Sequence, residues 1–158
     1  MTVRDNAIHL SGTGLSRLYR IDGGQLSAYA RLPTGTHNAQ PWKDGLLYND
    51  TAHDHVCHRP RLRGRARAIE VPKYPLEALE NVDKAAGNAR QGFGRGLAIW
   101  QDRYLITGSS PATISVYDMK QRATIKRINL SMDIRNAIHG LEVWPFAARP
   151  KREGPDGQ

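Results

Sequence analysis

Short apolar runs bounded by Asp and Gly turns recur along the chain, as in Gly96-Leu-Ala-Ile-Trp100 and Gly140-Leu-Glu-Val-Trp144. Runs of this length and setting predict buried strands rather than helices. They also repeat. Five positions before each tryptophan stands an aligned polar residue: His37 before Trp42, Arg95 before Trp100, His139 before Trp144. Downstream, Trp42-Lys-Asp-Gly-Leu-Leu-Tyr-Asn-Asp-Thr51 matches Trp100-Gln-Asp-Arg-Tyr-Leu-Ile-Thr-Gly-Ser109 without a gap. Near the N-terminus, Leu10-Ser-Gly-Thr13 resembles Ile106-Thr-Gly-Ser109, and ten residues past the glycine of each comes an aspartate, Asp22 or Asp118. A turn and another strand follow both.

The repeating unit is therefore strand, turn, strand, Gly/Ser/Thr turn, strand ending in Asp, turn, strand. Four antiparallel strands in about 40–50 residues are what one blade of a β-propeller requires. The tryptophan spacings, 58 and 44 residues, fit if the middle copy carries an insertion. This predicts an all-β chain, a partial β-propeller of about three four-stranded blades with one short helical insertion. The blades fall at 7–36, 37–71 and 95–130, with the first strand of a further blade at 138–146 and the insertion at 72–94. Within the insertion, apolar positions at 76, 79, 82 and 86 after Pro75, with Gly87 as the stop, predict a short helix. Residues 147–158 read as a polar, mobile tail.

Three blades and one strand do not close a ring. Either a second copy completes it as a homodimer, or, the preferred expectation, the chain is a piece of a longer protein.

The run Arg95-Gly-Leu-Ala-Ile-Trp-Gln-Asp-Arg-Tyr-Leu-Ile-Thr-Gly-Ser-Ser110, with the stretches 37–51 and 134–146, resembles a bacterial family of uncharacterised β-propeller-type proteins of six blades. The likeness covers residues 37–58 and 92–146, lies at the level of the repeat, and implies a fold but little chemistry.

Composition narrows the class. Hydrophobic residues make up 39% and charged residues 24%, which is globular. No apolar run approaches the roughly 20 residues of a membrane span. The opening residues lack the apolar core of a secretory signal, so the expectation is a soluble cytoplasmic protein with no membrane partner. Cys57 is the only cysteine, which rules out an internal disulfide and a zinc site of several thiolates. Net charge is +8 and the pI about 10.0, which admits anionic partners.

Three constellations are candidates for chemistry. In a propeller the residues entering the innermost strands converge near the axis, so His37, Arg95 and His139, with Asn38 and Asp50, form a candidate central site for a small polar or anionic ligand. The competing reading is that these groups satisfy backbone atoms of neighbouring blades. His53-Asp-His-Val-Cys-His58 has ligand types suited to a divalent metal, with His53 and His55 as the candidates, although the strand spacing sends His58 to the other face. Arg59, Arg61, Arg63, Arg65 and Arg67 stand at alternate positions and would project from one face of an extended segment, able to contact phosphates. No interleaved aromatic residues support base stacking, so nucleic acid is disfavoured. Gly92-Phe-Gly-Arg-Gly96 precedes a strand and is not a nucleotide-binding loop.

The leading expectation is a binding or scaffold module for a small polar ligand or a protein partner. The alternatives are a metal-assisted lyase or hydrolase using channel histidines, and basic-patch binding of nucleic acid.

Overall fold

The computed structural model describes residues 1–61, 64–84, 90–144 and 146. The chain is all-β: three four-stranded antiparallel sheets, each made of four consecutive strands in sequence order. The first sheet is β1 (Thr2–Arg4), β2 (Ala7–Ser11), β3 (Arg17–Asp22) and β4 (Gln25–Arg31). The second is β5 (Thr36–Trp42), β6 (Gly45–Asp50), β7 (His55–Pro60) and β8 (Arg67–Glu70). The third is β9 (Phe93–Trp100), β10 (Tyr104–Ser110), β11 (Thr113–Asp118) and β12 (Ala123–Asn129). The sheets are not closed on one another.

Local chemistry accounts for these elements. Asp22 and Asp118 end the third strands of their sheets, as their shared offset predicts. Asp118 caps the turn that follows, accepting from the backbone N–H of Lys120 at 2.9 Å and of Gln121 at 3.1 Å. The first sheet begins earlier than the sequence suggests. Asp5 and Asn6 both take positive φ, 51° and 57°, in the two-residue loop that pairs Arg4 with Ala7. Their tolerance of left-handed backbone makes β1 possible.

Period-2 alternation builds two cores from one strand. Leu46 and Tyr48 of β6 point toward the first sheet and pack with Leu18, Leu32, Ala39 and Cys57. Leu47 points the other way and packs with Trp42, Val56, Leu97, Leu105 and Tyr117 between the second and third sheets. The second sheet is thus sandwiched, and burying each such leucine contributes about 1.5–3 kcal/mol.

The gapless match after the tryptophans slips by one residue. The loop after Trp42 pairs Trp42 with Gly45, whereas Trp100 pairs with Tyr104 across one residue more. Leu46, not Leu47, therefore shares its rung and facing with Leu105.

The expected helix in the insertion is absent from its described part. Two 3₁₀ turns, Leu76–Ala78 and Val82–Lys84, stand there instead. Between them Glu80 bonds the backbone around Asp133, donating to Met132 O at 3.0 Å and accepting from Ile134 N at 3.2 Å. Extended pairing at Glu80 and positive φ at Asn81 break the helix, and only Leu79 of the apolar positions described there is buried. Ala86 and Gly87 lie outside the described residues.

Nor do the described residues of 138–146 form a strand. A strand needs a hydrogen-bonded neighbour along its length, and among the described residues the backbone of this segment makes one such bond, Ile138 N to Ser109 O at 3.3 Å. It crosses the third sheet instead. A Cβ on Gly108 would lie 2.5 Å from Ile138, and one on Gly96 would lie 2.9 Å from Leu141. Those two glycines let the segment approach so closely. The tail at 147–158 lies outside the described residues. Among the described residues no helix is long and apolar enough to cross a membrane.

Candidate functional site

The first strands of the three sheets lie side by side. A cavity of about 320 Å³ is walled by Met1–Arg4, by Gln40 of β5, by Leu97–Ile99 of β9 and by residues 141 and 142. A smaller one of about 140 Å³ adjoins it and reaches Asn38, His139 and Gly140. Arg4 bridges one side, its Nη2 lying 2.8 Å from Asp102 Oδ1.

Two of these strands carry a bulge, and each bulge aims a side chain at this region. In β5, Asn38 falls out of register between the His37–Asn49 and Ala39–Tyr48 pairs, at φ 44°. In β9, Arg95 falls out of register between the Gly94–Ser109 and Gly96–Gly108 pairs. Bulges re-aim side chains in this way. His37 stays in register, so His37 and Arg95 are not the equivalents that counting back from tryptophan suggests: the two bulges sit one rung apart.

The structure brings His37, Asn38, Arg95 and His139 together. Asn38 Nδ2 donates to the carbonyl of Arg95, and lies 3.4 Å from the carbonyl of His139. That role is structural, stitching β5 to β9 and to the segment beyond. Arg95 Nη1 lies 2.8 Å from His139 Nδ1 and 3.0 Å from Nε2, donating to the unprotonated ring nitrogen. The guanidinium also stands over the Phe93 ring, 4.4 Å from its centroid, and His37 meets that ring edge-on at 5.2 Å. Thr51 Oγ1 donates to Gly94 O at 3.1 Å and so accepts from His37 Nδ1 at 3.0 Å, which leaves Nε2 of His37 outside that chain of bonds.

The electrostatics of the group are one-sided. Burial pushes the Arg95 pKa below its ordinary value. Burial, then the Arg95 charge, does the same to His37, with His139 adding to it. Among the described residues no carboxylate forms an ion pair with Arg95. Its buried Nε has no acceptor among the described residues.

Asp50 does not join this group. Both its oxygens face His53 Nδ1, at 2.9 and 3.0 Å. The reason is local: Asp50 ends β6 and His53 sits three residues on, in the turn that follows. His53 is thereby held by one carboxylate. His53 and His55 border a shared surface cavity with Asp54 and Glu70, but the described residues contain no group of three or more His, Cys, Asp or Glu placed to hold a metal. Asp54 is already engaged by Lys73 at 2.8 Å and by Arg90. Burial pushes its carboxyl up, and the hydrogen bonds from Lys73 and Arg90 outweigh this to hold it below the usual range. Cys57 is buried, and burial pushes its thiol up, away from thiolate chemistry.

The arginine row is split by its own hairpin. Arg59 of β7 bonds the carbonyl of Arg31, and Arg61 stacks over Tyr29 at 5.1 Å, both against the first sheet. Arg67 lies on β8, paired with His58 on the opposite face, and Arg65 is exposed in the connection. Arg63 lies outside the described residues. The expected single face does not form, because the chain turns between Pro60 and Arg67.

Phe93 and Thr51 escaped the sequence reading. Phe93 stands inside Gly92-Phe-Gly-Arg-Gly96, and an aromatic residue flanked by glycines at the head of a sheet's first strand is the signal that was present. The glycines serve close approach: a Cβ on Gly94 would lie 3.3 Å from Asn49 Oδ1.

No protein-family model matches the sequence, and no curated protein matches it significantly.

Proposed function

We propose that the chain is a propeller-type binding module whose inner strands hold a small anion at Arg95, His37 and His139. What carries the reading is the Arg95 guanidinium: partly buried, stacked on Phe93, hydrogen-bonded to His139, and paired with no carboxylate among the described residues. A desolvated cation without a counter-charge is costly, and an anion of carboxylate or phosphate geometry would offset that cost through paired N–H donors. The His139 ring nitrogen that does not accept from Arg95 would add an N–H donor beside it, while His37, its N–H engaged by Thr51, would line the group. The propeller arrangement is supported by the four-strand repeat and by the inner strands lining one cavity, as innermost strands line a propeller channel. Fold alone does not specify chemistry, so the reading rests on the site.

Calorimetric titration of the purified protein with inorganic phosphate and with succinate at pH 7 tests it. One of the two anions should bind with saturable heat, and Arg95→Met, which keeps the stem over Phe93, should abolish it while His53→Ala leaves it intact. Equal heats from wild type and Arg95→Met would remove the proposal.

A further inference from the structure

The cleft between the second and third sheets repeats the cleft between the first and second, but the two are filled differently. In each, the last strand of one sheet, β4 or β8, faces the third strand of the next, β7 or β11. Register makes Arg59 the counterpart of Tyr117, since they pair with Leu46 and Leu105 on the matching rung. Arg61 is likewise the counterpart of Met119. Each donates its backbone N–H to the carbonyl just before its sheet's second strand, Asp44 O at 2.9 Å or Arg103 O at 3.0 Å.

Between the first two sheets, the arginines close the cleft themselves. Arg59 bonds the carbonyl of Arg31, and Arg61 lies over the Tyr29 ring. Between the second and third, only the first of these bridges is kept, Tyr117 donating its hydroxyl to Glu70 O at 3.4 Å. Met119 packs down on the core instead of reaching across. A cavity of about 370 Å³ opens there, with Ile69, Tyr117 and Met119 in its wall. That size falls within the roughly 300–1,000 Å³ of small-molecule sites. Arg67 of β8 and Arg122 of the turn after β11 border the same cavity, and neither forms an ion pair among the described residues. The carboxylate beside them is already engaged: Asp118 takes two bonds from Arg103 and caps Lys120 and Gln121.

We propose that this cleft binds a small hydrophobic monocarboxylate, its apolar body against Ile69, Tyr117 and Met119 and its carboxylate paired with Arg67 and Arg122. An apolar wall bordered by two cations suits an amphiphile rather than a bare ion: the wall gains from covering apolar area, and the guanidinium groups take the charge through N–H donors. The Met119 thioether and the Tyr117 ring favour an aromatic body. The site lies on the third and fourth strands of its sheets, apart from the first-strand group at Arg95, and does not rest on it.

Calorimetric titration of the full chain with phenylbutyrate at pH 7 tests it, with butyrate and phenylbutanol as controls. Phenylbutyrate should bind saturably, and each control, lacking either the ring or the charge, should bind at least about 10-fold more weakly. Arg67→Gln and Arg122→Asn alter exposed side chains, so both variants should keep their circular dichroism, and each should weaken binding about 5-fold. Asparagine suits the φ of 60° at position 122. Arg95→Met should leave the affinity unchanged. By NMR the imidazole of His58, cross-strand partner of Arg67, should shift while that of His139 stays still. Absence of saturable heat up to about 10 mM, equal binding of either control, indifference to both arginine variants, or loss in Arg95→Met would each overturn the proposal.

Discussion

Truncating Leu47 to alanine probes the sandwiching of the second sheet more sharply than any surface change. Leu47 is 0% exposed and is surrounded by Trp42, Val56, Leu105 and Tyr117. Leu→Ala deletes about three carbon groups, worth roughly 0.8 kcal/mol each in transfer, or about 2.4 kcal/mol. The cavity left between two hydrogen-bonded sheets closes poorly, and the residual void raises the total to about 3–4 kcal/mol. Leu46→Ala, one residue away but in the other core, should cost about 3 kcal/mol. Leu76→Ala, on an exposed 3₁₀ turn, should cost less than about 0.5 kcal/mol. Urea unfolding followed by both tryptophan fluorescence and circular dichroism measures all three. If Leu47→Ala lowers stability no more than Leu76→Ala, β6 is not covered on both faces and the two-core account is wrong.

Three further outcomes follow from the site and the buried histidines. Asn38→Ala removes donors to two carbonyls and keeps a Cβ at φ 44° without asparagine's tolerance of left-handed backbone, so it should cost about 2–3 kcal/mol; Asn38→Gly, which relieves the backbone, should cost about 1 kcal/mol less. Identical losses in urea melts would deny the left-handed bulge. Burial holds His9, His37 and His58 below their ordinary 6.5, so the unfolded chain takes up protons first on acidification. Their contribution is full above about pH 6.5 and declines below it, by about 1.4 kcal/mol per pH unit for each proton not bound by the folded state. A urea midpoint unchanged between pH 7.5 and 5.5 would contradict this. Cys57 should resist a disulfide reagent in the native protein and react fully in urea; fast native labelling would show that β7 is not covered.

How far the sequence carries is clearest at particular residues. The strands and their grouping in fours were legible because Asp and Gly turns punctuate the apolar runs at a constant spacing. Asp22 and Asp118 fall where their offset places them. The convergence of His37, Asn38, Arg95 and His139 was legible too, since all four stand at the head of an aligned segment. What was hidden is what register hides. Asn38 and Arg95 are aimed by bulges, and a bulge inserts a residue without any marker in the apolar pattern. Asp50 looked like a site residue until its turn brought His53 against it. The helix at 75–86 had the right periodicity, but backbone pairing of Glu80 with the Asp133 region outweighed local propensity. The alternating arginines failed as a single face because a hairpin reversal between Arg59 and Arg67 is invisible to a period-2 count.

The claim on which the functional reading stands is that Arg95 gathers His37 and His139 into one anion-binding group. Imidazole resonances of the six histidines, followed by NMR during a phosphate titration at pH 7, address it directly. His37 and His139 should shift together along one saturation curve while His53 and His55 stay still. Movement of His53 and His55 without the other pair, or a uniform drift of all six, would contradict it.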